Sequence, residues 1–438
     1  MGARLCMNGV ERKMVKVITY GTYDMFHFGH KRLLERAKAL GDYLIVGVTS
    51  DDYDKTRGKI NNQQSLMERV AAVKAAGIAD EIIVEEYEGQ KIDDIRRLGV
   101  DIFTVGSDWA GYFDYLNEFC KVIYLPRTEG ISSSEIRAEK RKVVIGTLGE
   151  GGLCKKFIRE MQYVNGVEHK KIEDSFEGVD AVYIATQPDC HYDNVKTALK
   201  AGKHVICESP IALSTSQYQE LKRMAFDHGL VLADGIKTAY STAYSRLLVV
   251  AKSGRIGNIV SVDSVCTSLE GGAGEDGADL SKKQNSICAW GPTAMLPIFQ
   301  LLGPVYKSRS IVSKIINQNL HFDGFTKIDF VFDHAVASAK VGKAAKAEGE
   351  LIIAGTKGYI YVPAPWWKTD YFEVRFENPA NNKRYFYQLD GEGIRYEIVA
   401  FAKAIESGKG LDYINPNVSE SIIDIIEAYY GQAFIPIQ

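Results

Sequence analysis

The chain of 438 residues contains no apolar run approaching the ~20 residues that a bilayer-spanning helix needs, so no membrane insertion is expected. Its seven cysteines (6, 120, 154, 190, 207, 266 and 288) include no Cys-x-x-Cys pair. That excludes a zinc-ribbon spacing and a dense disulfide framework, and predicts the reduced thiols of a cytoplasmic protein. Basic residues do not gather beyond Lys140-Arg141-Lys142, and the formal charge of −3 excludes a dedicated nucleic-acid binder. There is no internal repeat, no long low-complexity tract and no Pro- or Gly-rich linker between the halves. Residues 1–13 lack the apolar core of a signal peptide, and Cys6 stands where a myristoylation signal after Gly2 needs Ser or Thr. They read as a polar, irregular tail, with Met14 an alternative start.

What is present is ordinary for a globular chain: 46% hydrophobic and 25% charged residues, with length for two or three domains. Strand-like runs at 15–20, 43–49, 81–85, 101–105 and 121–125 alternate with helical patterns near 29–40, 66–77, 91–98 and 110–118. This alternation predicts a parallel sheet covered by helices on both faces. Ligands of such sheets bind at the carboxyl ends of the strands, where Thr22, Asp24, Asp108, Trp109 and the run Arg127–Ser134 fall. Between the first strand and first helix stands Gly21-Thr22-Tyr23-Asp24, followed by His27-Phe28-Gly29-His30. A helix entry aims free amides and a positive dipole end at an anion, and two histidines three apart can hold one phosphate together.

These residues together resemble the glycerol-3-phosphate cytidylyltransferase branch of the HxGH nucleotidyltransferase superfamily. The matching runs are GTYD (21–24), HFGH (27–30), LLERAKALGDYLIVGV (33–48), ER (68–69), VGSDWAGYFDYL (105–116) and VIYLPRTEGISSSEIR (122–137). The resemblance implies attack by a polyol phosphate, glycerol 3-phosphate above all, on the α-phosphorus of CTP, with Mg²⁺ carried by the triphosphate. It implies His27, His30, Arg127 and Lys59 as catalytic residues. Gly21, Thr22, Tyr23, Asp24, Gly29, Lys55, Arg69, Ser132, Ser133 and Ser134 would bind the nucleotide, and Asp108 and Trp109 the acceptor. No protein-built metal site is implied. One departure stands out: a lysine often found in the acceptor segment is Tyr112 here.

From Val143 a second strand-turn-helix unit begins, with Gly146, Gly149 and Gly151 in its turn. With VDAVYIATQPDCHYDNVKTALKAGKHVICESPIA (179–212), it resembles the Gfo/Idh/MocA oxidoreductases. Four departures weigh against redox chemistry. The glycines run G-x-x-G-x-G-G rather than G-x-G-x-x-G. The stretch from Gly146 to Asp180 is too short for the usual second strand, helix and third strand. No acid ends a strand facing a ribose, since Glu168 and Glu173 are poor substitutes. Finally, Ser209 replaces the lysine of the family's Glu-Lys-Pro, and Ala289 and Thr293 stand where an acid and a proton-transferring histidine belong. His191 and Lys237 are the polar groups left, each open between a structural and a ligand role.

Later alternating runs at 259–265, 327–335, 349–355, 358–362, 371–376 and 383–389, with closing helices at 394–406 and 418–431, predict an antiparallel sheet. Such a sheet commonly makes subunit contacts in this family, so a homo-oligomer is expected. Glu270–Asp279 reads as a solvated loop rather than a metal loop, and Trp366-Trp367 as packing residues rather than a stacking surface. The expected architecture is α/β throughout the front. A Rossmann-like nucleotidyltransferase domain (14–137) precedes a Rossmann-like dinucleotide-binding-type domain (143–265) and an α+β domain with an open, mainly antiparallel sheet (266–438). The function read from these features is cytidylyl transfer with a redox-inactive rear module, and NAD(P) binding is not expected of it. The alternatives are a bifunctional enzyme that also reduces a keto-sugar or keto-polyol phosphate, or a rear scaffold or sensor serving cell-surface polymer synthesis.

Overall fold

The computed structural model describes all residues except 1–3, 8–9, 57–63, 88, 127–141, 173–174, 270–278, 281–282, 388, 409 and 438. The chain divides into two compact units, Met1–Arg141 and Lys142–Gln438. Among the described residues no helix is long and apolar enough to cross a membrane.

The first unit opens with a correction. Part of the expected irregular tail forms an antiparallel hairpin, β1 (Arg4–Met7) with β2 (Val10–Lys13). Behind it β3 (Lys16–Gly21), β4 (Tyr43–Thr49), β5 (Glu81–Glu85), β6 (Ile102–Gly106) and β7 (Lys121–Leu125) build one parallel sheet in the order β5-β4-β3-β6-β7. Successive side chains of a strand face opposite sides, and both sides are covered here. Val17, Leu44, Val46 and Val48 pack with Leu34 of α1 (Phe28–Lys38) and Val73 of α3 (Leu66–Ala75). Ile18, Tyr20, Ile45 and Phe103 pack on the other face with Ile95 of α4 (Gln90–Leu98).

Two local expectations change. A short helix α2 (Asp51–Thr56) follows β4, where no helix is expected. The expected helix over 110–118 is instead two 3₁₀ turns, Ser107–Trp109 and Asp114–Glu118, because Gly111 between them takes φ +84° and breaks right-handed winding. In this sheet the chain runs outward from β3 through β4 to β5, then returns to β6 on β3's other side. The crevice at that reversal, outside the carboxyl ends of β3 and β6, is where such sheets take ligands.

The second unit starts with another parallel sheet, ordered β12-β11-β10-β8-β9. Its strands are β8 (Val143–Leu148), β9 (Val167–Lys171), β10 (Ala181–Ile184), β11 (His204–Glu208) and β12 (Leu232–Gly235). Helices α5 (Gly152–Met161), α6 (Pro188–Lys200), α7 (Thr215–Asp227) and α8 (Thr242–Lys252) accompany it. The short stretch from Gly146 to Asp180 does hold a second strand, β9. Among the described residues, no helix or third strand follows it before β10.

A nine-stranded, mainly antiparallel sheet then begins with β13 (Ile259–Thr267), which runs through the expected 265/266 boundary. It continues through β14 (Ser308–Asn317), β15 (Phe322–Val331), β16 (Val336–Gly342), β17 (Leu351–Gly355), β18 (Tyr359–Val362), β19 (Tyr371–Arg375), β20 (Lys383–Phe386) and β21 (Ile435–Ile437). Helices α9 (Ser286–Leu302), α10 (Ile394–Ser407) and α11 (Pro416–Tyr430) complete the unit, and Trp366 and Trp367 are buried in its core. Residues 270–278 of the acidic loop lie outside the described residues.

Candidate active site

His27 and His30 occupy the two reciprocal positions of a capping box. His27 is the N-cap of α1 and its Nδ1 accepts from the Gly29 amide at 3.0 Å, while His30 Nδ1 accepts from the His27 amide at 3.4 Å. In each neutral ring the proton then resides on Nε2, on the edge away from the backbone. The rings stack at 3.9 Å between centroids with 22° between planes, and His30 also meets Tyr23 edge-on at 5.4 Å. No acid stands in the first turn of α1, so the positive end of the helix is uncompensated from within. Two side-by-side donors at such an end can grip phosphate oxygens.

The turn that delivers the pair is held in an unusual conformation. Tyr23 and Met25 both take positive φ, +54° and +51°, which costs a non-glycine residue energy. Burial and three hydrogen bonds fix it. Tyr23 is buried to 1% exposure, and that burial pushes its hydroxyl pKa up. Asp24 accepts from the Gln64 amide at 3.0 Å, and Gln64 Oε1 accepts from the Met25 amide at 2.8 Å. Thr22 Oγ1 donates to Asp54 Oδ1 at 2.9 Å. A Cβ on Gly21 would stand 3.0 Å from the Tyr23 ring, so a small residue is required where strand meets turn. Gly29 contributes the amide that the His27 ring caps.

Arg69, expected among the nucleotide-binding residues, sits elsewhere. It has no exposed surface. Its Nη1 donates to the carbonyls of Thr22 and Thr49 at 2.7 Å each, Nη2 to Asp51 at 2.6 Å and Nε to the Gln64 carbonyl at 3.2 Å. A guanidinium so enclosed acts on the site by holding the turn, and is a positioning residue. Nothing in the sequence marked Gln64, Asp51 or Asp54 as its partners, because they come together only when β3, β4 and α3 pack.

Asp108 and Trp109 lie in the 3₁₀ turn directly after β6, across the reversal point from Thr22–Asp24. Trp109 packs against Tyr112 and Phe113 at 5.4 and 5.8 Å, and Tyr112, in the lysine's place, is 53% exposed. Lys59, Arg127, Ser132, Ser133 and Ser134 lie outside the described residues, and of Lys55 only the backbone in α2 is described. No three His, Cys, Asp or Glu side chains gather as a metal cage among the described residues.

In the second unit Gly149 takes φ +121° at the end of β8, and a Cβ there would stand 2.4 Å from the Ala185 carbonyl oxygen. Space is open at Gly151, and no side chain caps α5, which leaves the amides of a phosphate-type turn available. Gly146 instead backs onto Ile172, as interior packing. The ribose position is not acidic: β9 ends in Lys170-Lys171. The phosphate part of a dinucleotide cradle is therefore present, and among the described residues no acid ends β9 where an NAD ribose needs one; Glu173 and Asp174 lie outside the described residues.

His191 proves structural. It is fully buried, with Nδ1 2.8 Å from the Pro210 carbonyl oxygen and Nε2 3.0 Å from that of Thr186. Ala289 and Thr293 lie in α9 and supply no titrating group. An acid cluster at the strand ends, by contrast, has no signal in the sequence. Burial pushes Glu208 up to about 7, against its hydrogen bond from Tyr183 and the charge of Lys237. Asp234 is pushed up to about 6, also by burial, with Ser209 and Ser419 hydrogen bonds opposing. Burial and the Glu208 charge raise Glu397 well above the usual range. Ser209, where the family has lysine, thus serves Asp234.

Comparison with known proteins places both units. A family model described as cytidylyltransferase-like matches residues 18–139, and one for the NAD-binding Rossmann fold of the Gfo/Idh/MocA oxidoreductase family matches 143–235. The chain is 48% identical over 126 residues to a glycerol-3-phosphate cytidylyltransferase of Bacillus spizizenii, covering 29% of this chain and 97% of that protein. A second such enzyme, from Staphylococcus aureus, is 44% identical over 126 residues, covering 29% of this chain and 95% of its own. Among solved structures, a 3-ketoreductase from Actinomadura kijaniata, in complex with NADP and TDP-benzene, superposes with a TM-score of 0.60 at 15% identity. That match covers 68% of this chain and 99% of that one, and shows a shared fold. The chain belongs to the cytidylyltransferase-like family, with an oxidoreductase-type module fused behind the transferase.

Proposed function

We propose that the first unit transfers CMP from CTP to glycerol 3-phosphate, giving CDP-glycerol and pyrophosphate. The observation that carries this is the stacked His27–His30 pair on an uncompensated helix end, in a segment covering 97% of a glycerol-3-phosphate cytidylyltransferase. Support for the acceptor comes from contrast. An ethanolamine-phosphate cytidylyltransferase of Dictyostelium discoideum is only 35% identical, over a segment that is 36% of its length.

An oxygen of the acceptor's phosphate attacks the α-phosphorus of CTP; the bond from that phosphorus to the β-phosphate oxygen breaks, and pyrophosphate leaves. A phosphomonoester with a second pKa of ~6 is already largely dianionic, so no general base is required. Catalysis reduces to alignment and to offsetting charge on the transferring group. His27 and His30 donate to phosphate oxygens from the α1 entry. Lys55, Lys59 and Arg127 add cations, and Ser132, Ser133 and Ser134 add donors. Asp108 and Trp109 face the acceptor across the sheet reversal. Mg²⁺ bound with CTP would offset negative charge on the phosphates.

The test is pyrophosphate release with CTP, screened against glycerol 3-phosphate, other polyol phosphates, phosphocholine and phosphoethanolamine. Turnover greatest with glycerol 3-phosphate is expected. Turnover with none of them on folded protein ends the proposal, and a preference for an amine-bearing acceptor overturns the assignment to glycerol 3-phosphate.

One observation favours a second reading, in which the rear module also reduces a keto-sugar or keto-polyol phosphate with NAD(P)H. Glu208, pushed up to about 7 and bonded to the Tyr183 hydroxyl, stands at the strand ends as a group able to move a proton. Fluorescence titration with NADH and NADPH decides it. If any dinucleotide binds, NADPH is expected to bind tighter, because β9 ends in lysines rather than an acid. Absence of binding by both removes the reading.

A further inference from the structure

Three lysines from separate elements of the second unit converge on one carboxylate. Lys156 of α5 lies 3.3 and 3.1 Å from the two oxygens of Glu392. Lys368, in the 3₁₀ turn Trp366–Lys368, is 3.0 Å away, and Lys237, just after β12, is 3.5 Å away. Glu392 comes from a loop in which Gly391, Glu392 and Gly393 all take positive φ, at 57°, 56° and 93°. A non-glycine residue pays for that conformation, and here the result is a carboxylate aimed into a basic cluster. The loop is seated tightly, since a Cβ on Gly391 would stand 2.2 Å from Glu160 Oε2.

The cluster is partly open. The side chains of Lys156, Lys237, Lys368 and Glu392 are 40%, 22%, 34% and 34% exposed. Lys368 and Glu392 also line a cavity of about 600 Å³ with Thr369, Asp370, Tyr371 and Tyr387, which offer polar groups for hydroxyls. Burial alone would raise the Glu392 pKa, but its bonds from Lys368 and Lys156 and the charge of Lys237 hold it down to about 2. Glu392 is therefore ionised, and three ammonium groups facing one carboxylate leave two positive charges in excess. Glu208 and Glu397 also face Lys237, but burial keeps both above the ordinary carboxylate range. An excess of positive charge among these four groups suits an anionic group such as a phosphomonoester.

We propose that Lys156, Lys237 and Lys368 form a second phosphate site in this protein, which takes a polyol phosphate into the adjoining cavity as it displaces Glu392. Glu392 is its internal counter-ion, and its side chain rotates away from the lysines to admit the phosphate. Lys156, Lys237, Lys368 and Glu392 all belong to the second unit, and the proposal does not depend on the redox reading.

The test is calorimetric titration of the full chain with glycerol 3-phosphate and, separately, inorganic phosphate. Wild type, Glu392→Gln and the double variant Lys237→Met/Lys368→Met are compared, and CTP turnover assayed in parallel reports on the transferase separately. Removing the competing charge is expected to tighten one binding equivalent about tenfold in Glu392→Gln. The double variant is expected to lose that equivalent, and glycerol 3-phosphate to bind tighter than inorganic phosphate. Identical isotherms for wild type and Glu392→Gln overturn the proposal, even if the double variant fails to fold. Equal affinity for inorganic phosphate overturns the assignment to a polyol phosphate.

Discussion

Replacing His30 with alanine is expected to lower kcat by about 10²–10³-fold, the usual cost of losing one preorganised donor to a developing charge. The affinity for CTP should change less, because the helix end and the remaining donors still meet the triphosphate. His30 does two things in the structure, and the substitution removes both. Its ring stacks on His27 at 3.9 Å, and its Nδ1 receives the His27 amide as half of the capping box. Loss of a cap costs about 1 kcal/mol, too little to unfold a unit of this size. His30→Gln separates the two roles. Glutamine at the third helical position suits a capping box, so it should restore stability while leaving the donor misplaced. Near-native melting with turnover still at least tenfold down would assign the loss to chemistry. Should His30→Ala keep turnover within threefold of wild type, the pair is only a helix cap, and the mechanism must be sought elsewhere.

The capping arrangement explains why this pair was legible in the sequence. His27 and His30 lie three residues apart at a strand-to-helix junction, and that geometry is local. The five parallel strands were legible for a similar reason, as short apolar runs separated by helical periods, and the structure places β4, β5 and β7 on the expected residues. Hairpin β1–β2 was not read, although Asn8-Gly9 between its strands is a favoured hairpin dipeptide. Other features depend on contacts distant in sequence. Lys156, Lys237, Lys368 and Glu392 come from four separated stretches, and no spacing rule joins them. The buried carboxyls of Glu208 and Glu397 likewise meet only after α10 packs against the front of the second unit. Arg69 is the instructive case. Its Glu68-Arg69 setting carried the family resemblance, but only packing reveals that the guanidinium faces inward.

That inward position sets the largest expected effect on stability. Arg69→Met should destabilise the first unit by about 3–5 kcal/mol, as expected when one partner of a buried charge network is removed. Methionine fills similar space, so the loss is electrostatic rather than a cavity. It strips donors from the carbonyls of Thr22, just after β3, and Thr49, at the end of β4, and takes the cation from beside Asp54, itself fully buried 3.7 Å away. Lysine is not a remedy, because one ammonium cannot replace a planar fork that spans Thr22, Thr49, Gln64 and Asp51. For a unit of this size the loss corresponds to a fall of about 10 °C or more in Tm. Calorimetry on the full chain should show that fall in the first unit's transition, with the second unit's transition unmoved. Pairing Arg69→Met with Asp54→Leu removes both charges together, and should recover part of the loss. Turnover should fall even below the new melting temperature, since the Thr22 carbonyl belongs to the turn that delivers His27 and His30. A variant that melts within about 2 °C of wild type would mean that the Arg69 bonds contribute no net stability. The strained Tyr23–Met25 turn would then be held by Asp24 and Gln64 instead.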